Sequence, residues 1–450
     1  MQPTVTIIGG GLAGITAAMF AADHQFRVTL IERRNRLGGR AAESFYDPVV
    51  GRNVEFCQHI MMGCCTEQAD LNRLIFQPAT SRCNDKSLRW HPQRELYFFD
   101  RGAMKQGRVR RSVFRPSRIL PAPLHLLPAF LRLRFLSLRE KLSIAMGMRR
   151  LVQVGTDNAA EPSKARNQTD KPDTESIVDW LRRHGQTEAS IEKFWNVVLV
   201  SALGERPESA SVAAAAKVFR DGFWRSRNAH RVHLPDFPLS LFYHDAALAM
   251  LRQKGVDVRL GVDVHQVEAA ELPDESVSSR NPRFMIHCKN AEPIRSDFCI
   301  VATPWHAAGR RLSPSLLERT GLKDTLDRIH ASPISVIHLW LDRPAMPEPH
   351  AVLVDARGDW LFRAPESETL ADSRRAWHHQ LVISGSHDAI HRETNELVVD
   401  ALTEIIVHFI PPKPPVLLHA RVVHSPNAVI SMRPGIDRLR PTQSTAVPGL

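Results

Sequence analysis

The chain has 450 residues, 43% hydrophobic and 24% charged, which excludes a disordered or fibrous polymer and leaves room for two or three domains with substantial cores. Its formal net charge of +11 suits nucleic acid, an anionic membrane face or an anionic substrate without choosing among them. The cysteines Cys57, Cys64, Cys65, Cys83, Cys288 and Cys299 form no CxxC pair, so no disulfide framework or metal site is expected, and reduced thiols in a cytoplasmic protein are the default.

The chain opens on an apolar, β-branched run, Val5-Thr6-Ile7-Ile8, which predicts a buried parallel strand. There is no signal-peptide pattern before it. Gly9-Gly10-Gly11-Leu12-Ala13-Gly14 follows, then an Ala-rich helix over Ile15 to Ala22 and a second strand over Arg27 to Ile31, closing on Glu32. Gly9 permits the tight turn, Gly11 lets a pyrophosphate approach the backbone, and Gly14 lets helix and strand pack closely. The helix start, with Leu12 and Ala13, offers N–H groups to phosphates. Glu32 lies 18 residues beyond Gly14, near the ~20 expected of an acid that holds ribose hydroxyls. A glycine-rich turn alone would be a weak signal; strand, helix, second strand and acid in this order point to dinucleotide binding.

The continuation Arg33-Arg34-Asn35-Arg36-Leu37-Gly38-Gly39-Arg40 resembles the FAD-binding signature of the amine oxidase, protoporphyrinogen oxidase and phytoene desaturase superfamily. The resemblance implies that Gly38 and Gly39 run beside the FAD pyrophosphate, flanked by Arg33, Arg34 and Arg40. Further on, Glu55-Phe56-Cys57-Gln58-His59-Ile60-Met61-Met62-Gly63 is similar to the Asp-Asn-Gly-Gln-His block of bacterial hydroxysqualene dehydroxylases, also called squalene-associated FAD-dependent desaturases. Gln58, His59 and Gly63 match; Glu55, Phe56 and Cys57 depart from it. By that resemblance Cys57 and Gln58 lie against the isoalloxazine ring, and Gln58 and His59 are the catalytic candidates. A satisfied core histidine is an equal alternative for His59.

A helix end is expected over Asn72 to Phe76, and a hairpin from Trp90 and Leu96 to Phe99. Residues 101–150 hold 11 arginines and two lysines against the single acid Glu140. They are laced with Leu, Pro and Phe, and Ile119 to Leu131 is too short and proline-broken to span a bilayer. A peripheral membrane surface is expected here, with a solvated basic face as the bland alternative. Nucleic acid is not expected, since stacking aromatics are scarce. Gly155 to Glu175 reads as a polar loop. Helices are expected from Ile177 to Gly185, over Ile191 to Leu203, and over Val212 to Phe219. By the resemblance, this block walls a long isoprenoid substrate, although plain core packing explains most apolar stripes.

Leu239 to Lys254 reads as helix, and Val256 to Leu260, Val264 to Val267, Phe284 to His287 and Phe298 to Ala302 as strands. The resemblance places the backbone of Val264 against the adenine and Ala302-Thr303-Pro304 at the end of the cofactor sheet. Strands are expected over Ile334 to Asp342, Ala351 to Leu353, Trp360 to Phe362, Gln380 to Ser384 and Val416 to His424. A helix is expected over Glu393 to Phe409, and a stiff linker at Pro411 to Pro415. In the superfamily a stretch like Arg440 to Leu450 leads into a Gly-Asp motif that holds FAD; the sequence stops before it, so weak FAD retention is expected.

The implied fold class is α/β: a discontinuous Rossmann-type (GR2-like) FAD-binding domain with a mixed α+β substrate domain. The expected parts are 1–75 and 240–305 for FAD, with 416–450 returning to that domain. The parts 76–239 (helical, membrane-facing) and 306–415 (sheet and helices) belong to the substrate domain. The implied activity is FAD-dependent reduction of hydroxysqualene to squalene for hopanoid or sterol synthesis. The rivals are a phytoene desaturase-like or amine oxidase-like flavoenzyme, and an inactive remnant that binds a membrane or a partner. The expected location is cytoplasmic, peripheral on the inner membrane face, and the sequence names no electron donor.

Overall fold

Four parallel strands carry the glycine-rich turn, in the order Asp257–Leu260, Arg27–Glu32, Thr4–Ile8, Phe298–Val301. The computed structural model describes residues 2–75, 90–101, 110–154, 174–269, 283–356, 358–409 and 413–450. Val5 and Ile7 turn to a helix, Leu12–Asp23, which buries Ile15, Ala18 and Met19 against them. Ile8 and Ile31 pack on the opposite side with Val264, Val267, Phe284 and Ile286. Those residues belong to a three-stranded antiparallel sheet, Val264–Ala269, Phe284–Cys288 and Ala291–Ser296. Both faces of the parallel sheet are thus covered, as its continuous apolar strands require.

An eight-stranded sheet forms the second centre. Its order is Leu417–Ile430, Ala331–Leu341, Arg375–Ser384, Trp360–Arg363, His350–Val354, Leu96–Asp100, Arg110–Phe114, with Glu368–Thr369 paired to Arg375–Ser384. Helix Thr394–Phe409 lays Leu397, Val398, Ala401 and Ile405 on one face, against Ile337, Leu339, Leu381 and Ile383. A helical block lies on the other side and packs around Trp195, Phe219 and Leu199. Its helices start on hydroxyl caps: Ser137 forms a reciprocal capping box with Glu140, and Ser176 and Ser211 cap Ile177–Arg183 and Val212–Phe219.

Three local expectations change. Trp90 and Leu96–Phe99 do not pair as a hairpin. Trp90–Pro92 joins Val232–Pro235, which also pairs Met61–Met62, whereas Leu96–Asp100 joins Arg110–Phe114 and His350–Val354. The helix expected over Ile191 to Leu203 is a π-helix over Ile191–Asn196 before it becomes α over Val197–Leu203. At its wide turn Trp195 is fully buried and donates to Gln186 Oε1 at 2.8 Å. The strand expected from Val416 to His424 runs on to Ile430, because Ala331–Leu341 offers it a partner edge of matching length. Cys83, Phe76, the loop 155–173 and residues 410–412 of the proline linker lie outside the described residues.

The large sheet buries a row of histidines. His338 Nδ1 lies 3.0 Å from His378 Nε2, and their rings stack with Trp340. His350 lies between Tyr97 and Trp360. Burial, acting first, lowers His338, His350 and His379 to about 4 and His378 well below its ordinary value. Against an unfolded value near 6.5, the folded chain binds fewer protons between those limits. Its stability is therefore full above pH 6.5 and is lost as pH falls towards 4, by roughly 3 kcal/mol for each of His338, His350 and His379. His350→Phe is expected to move the acid-unfolding midpoint, followed by circular dichroism, to lower pH and to remove about one proton from the uptake. An unmoved midpoint would show that His350 is already charged in the fold.

Candidate active site

The glycine turn is fixed by contacts that leave no room for a Cβ. Gly9 has φ +109° and donates to Ile31 O at 2.8 Å, and Ala302 N–H donates to Ile8 O at 2.8 Å. A Cβ on Gly9 would lie 2.7 Å from Ala302 O, and one on Gly14 would lie 1.8 Å from Gly9 O. Gly11 differs: a Cβ there meets nothing within 4 Å, so its surface faces open space. It caps helix Leu12–Asp23 without a side-chain bond, and no acid occupies the first turn. The amides of that turn, Leu12 and Ala13 among them, are left for an anion.

Glu32 is the hinge of this cradle. Its Oε2 accepts from Gly10 N–H at 2.7 Å and its Oε1 from Arg34 N–H at 2.9 Å, so the carboxylate ties the turn to the strand that follows it. Each oxygen keeps a further lone pair for a sugar hydroxyl. Gly38, at φ +95°, donates to Gly10 O at 2.8 Å, and Gly39 comes so close that its Cβ would lie 3.0 Å from Gly11 Cα. The paired glycines therefore run beside the turn. The arginines divide: Arg33 is exposed, Arg34 pairs with Glu43 at 3.0 Å, and Arg40 donates to the carbonyls of Asn427 and Ala428 beneath Trp305. Arg34 and Arg40 thus hold protein partners as well as flanking the glycines. Val264 is buried at the start of its strand, and its carbonyl accepts from Arg311 at 2.7 Å. The turn before it is clipped to the Glu32 strand by Val262 N–H on Glu32 O at 3.1 Å.

The segment Phe56 to Gly63 is held from both sides. Gln58 N–H donates to Gln380 Oε1 at 2.7 Å, and His338 Nε2 lies 3.1 Å from Phe56 O. Gly63 is obligatory, since a Cβ would fall 2.0 Å from Asn228 O. Charge is disfavoured throughout. Burial first, then Glu55, pushes the Cys57 thiol up to about 12, and burial pushes Glu55 to about 7 although the amides of Leu239 and Ser240 donate to it. His59 Nδ1 lies 2.9 Å from Cys57 O, and burial lowers its pKa. At neutral pH the ring is therefore uncharged, with Nδ1–H on that carbonyl and Nε2 as an acceptor.

Ile60 and Met62 of the same segment line a cavity of about 320 Å³. Its remaining wall is almost wholly apolar, with Phe98, Phe130, Phe194, Phe219, Phe223 and Trp360 prominent. Residues more than 290 apart in the sequence meet here, so periodicity could not show it. His230, Gln380 and the Glu55–Leu239 contact were likewise missed; no local motif marks them.

The matched family model is described as flavin containing amine oxidoreductase, and it covers residues 12–450. The chain belongs to this family. A zeta-carotene desaturase of Zea mays is 31% identical over 196 residues, 43% of this chain and 31% of that protein. This match thus spans less than a third of that relative's length. A 15-cis-phytoene desaturase of Solanum lycopersicum is 22% identical over 99% of this chain and 72% of that protein. Among solved structures, putrescine oxidase bound to putrescine superposes with a TM-score of 0.65 at 15% identity, covering 94% of this chain and 84% of that one. The fold is that of the FAD-dependent oxidoreductases, and the cofactor of the family is FAD.

The residues present fit that cofactor in this amine oxidoreductase-family chain. The open face of Gly11, the uncapped amides of Leu12 and Ala13, and the spare lone pairs of Glu32 suit a diphosphate joined to a sugar. Gly11→Ala is expected to fold with an unchanged melting temperature yet lose at least about tenfold in FAD affinity, read by flavin fluorescence quenching. Gly14→Ala is expected to fail earlier, at folding, because its methyl group has only backbone to displace. Equal FAD binding by Gly11→Ala and wild type would remove the turn from the cofactor site.

Proposed function

We propose that this chain is an FAD-dependent oxidoreductase that reduces hydroxysqualene to squalene. The observation that carries the reading is the apolar cavity bordered by Ile60 and Met62. A long hydrocarbon gains from filling such a wall, at roughly 25 cal/mol per Å² of apolar surface removed from water. The resemblance of Gln58, His59 and Gly63 to the dehydroxylase block directs the choice among isoprenoids. The carotenoid desaturase relatives favour a second reading, oxidation of a phytoene-like polyene in the same cavity.

FAD supplies the hydride chemistry when bound. The chain's own contribution would be to hold Gln58 through Gln380, to exclude water with the aromatic wall, and to supply a proton from His59. For His59 to help an allylic hydroxyl leave as water, Nε2 must first gain a proton against burial. The activity should therefore rise as pH falls towards the lowered pKa of that ring. His59→Gln is expected to flatten this limb and to slow turnover by about 10²-fold or more. Wild-type turnover with the same pH profile would remove His59 from the chemistry. With FAD and dithionite, hydroxysqualene should yield squalene by gas chromatography–mass spectrometry. Conversion of phytoene with a quinone acceptor, and none of hydroxysqualene, would decide for the second reading.

Access from a bilayer surface belongs to the same proposal. Leu124 and Leu127 both line the cavity and face solvent, and Ile119 (89% exposed), Leu138 (80%), Leu142 and Met146 are exposed in the same stretch of chain. Arg118, Arg132, Arg134 and Arg139 are exposed among them, as a headgroup layer would favour. Arg110 and Arg111 are not part of this face, since they pair with Asp100 and Glu348. No helix among the described residues is long and apolar enough to cross a membrane. Leu138→Glu with Leu142→Glu is expected to cut co-sedimentation with phosphatidylglycerol vesicles several-fold without changing flavin content; unchanged sedimentation would dismiss the face.

A further inference from the structure

His125 and His230 lie 105 positions apart yet meet inside the fold. His125 Nε2 is 3.4 Å from His230 Nδ1, with ring centroids 5.1 Å apart. His125 is 1% exposed and its Nδ1 has no hydrogen-bond partner. His230 is 9% exposed and lines the apolar cavity. The other polar side chains on that wall have different outlets. Ser201 donates to Val197 O at 2.7 Å and accepts from Trp360 Nε1 at 2.9 Å. Lys193 is half-buried, and its long stem can carry the ammonium to water. With Nδ1 turned to His125, the nitrogen His230 leaves for a ligand is Nε2.

We propose that the His125–His230 pair is the polar recognition point of this cavity and that it takes an uncharged hydroxyl of the bound lipid. The proposal rests on the reading of the cavity as an isoprenoid site and narrows it to oxygen-bearing substrates. Two linked neutral imidazoles have two arrangements. If His125 Nε2–H donates, His230 presents Nε2–H to the cavity; if His230 Nδ1–H donates, it presents a lone pair. A hydroxyl, which both donates and accepts, matches either arrangement, whereas a carbonyl matches one and a hydrocarbon neither. A carboxylate or phosphate would incur the cost of leaving water for a mostly apolar wall, which an uncharged hydroxyl does not. Burial first, then His125 and Arg231, lowers His230 to about 4, so at neutral pH the ring forms hydrogen bonds rather than an ion pair.

His230 is also well placed along the chain. Gly63 N–H donates to Arg231 O at 2.8 Å, and Met62 pairs with Val232. The histidine therefore sits on the segment that borders Phe56 to Gly63. His230 is in this sense a positioning residue for the oxygen.

The test uses the tryptophans Trp224 and Trp360 of the cavity wall as reporters. Fluorescence titrations of the full chain with farnesol and with the hydrocarbon farnesene compare the same skeleton with and without a hydroxyl. Farnesol is expected to bind about tenfold more tightly, the upper end for one neutral hydrogen bond. His230→Phe should bring farnesol to the farnesene value and leave farnesene unchanged, whereas His230→Gln, which keeps a donor and an acceptor, should retain part of the preference. Equal binding of the two lipids by wild type, or a preference that survives His230→Phe, would overturn the proposal while leaving the cavity reading intact. Failure of both lipids to bind would overturn both.

Discussion

One close approach governs the cofactor half of the molecule: backbone against backbone at Gly9, Gly14 and Ala302, where a single methyl group would overlap main-chain atoms. Because neither turn nor helix can retreat, the start of helix Leu12–Asp23 is held at a fixed distance from the strand ends. Glu32 then locks the arrangement by accepting from both Gly10 and Arg34. A buried carboxylate would be costly alone, and two amide donors offset that cost. The same bonds leave the open side of Gly11 as the place where a diphosphate meets uncapped amides. Packing constraint and binding capacity are thus two results of the same missing side chains.

The second half answers a different demand. The eight-stranded sheet supplies a rigid wall, and the helical block stands away from it far enough to leave the apolar cavity. The strands contribute Phe98, Val352 and Trp360, and the helices contribute Phe130, Phe194 and Phe219. Ile60 and Met62 join this wall to the segment that the cofactor half holds through Glu55 and Leu239. The contact between the two halves therefore includes part of the cavity wall.

What was legible in the sequence follows from range. Gly9 to Gly14, Glu32, Gly38 and Gly39 lie within 31 positions of one another, and local backbone demands are written locally. Strand and helix existence was also legible where periodicity was strong, as at Ala331–Leu341 and Thr394–Phe409. The pairing of Trp90–Pro92 with Val232–Pro235 was not, since it joins residues about 140 apart and only register decides it. The π-turn at Ile191–Asn196 has no sequence signature of its own; it accompanies a buried Trp195 bonded to Gln186. The basic stretch 101–150 reads as one unit by composition. In the fold it divides, because Arg110 and Arg111 pair with Asp100 on the neighbouring strand and with Glu348 just before His350–Val354, while Arg118 and Arg139 are exposed in a stretch that also exposes leucines.

The electrostatics around the segment Glu55 to Gly63 have a single direction. The Cys57 thiol is held protonated, Glu55 is drawn to about 7, and His59, His338 and His230 are all moved towards their neutral forms. Burial is the first cause in each case, so the common origin is exclusion of water by the apolar walls. A region this poor in mobile charge and solvent screens weakly. Any charge that develops in a bound lipid would then be felt strongly by the few dipoles present, above all the amides and imidazoles fixed by Gln380, Phe56 and His125. The net charge of +11 does not contradict this. On the described stretch from Arg118 to Arg150 the arginines are exposed, while the cavity bordered by Ile60 and Met62 is walled almost wholly by apolar side chains.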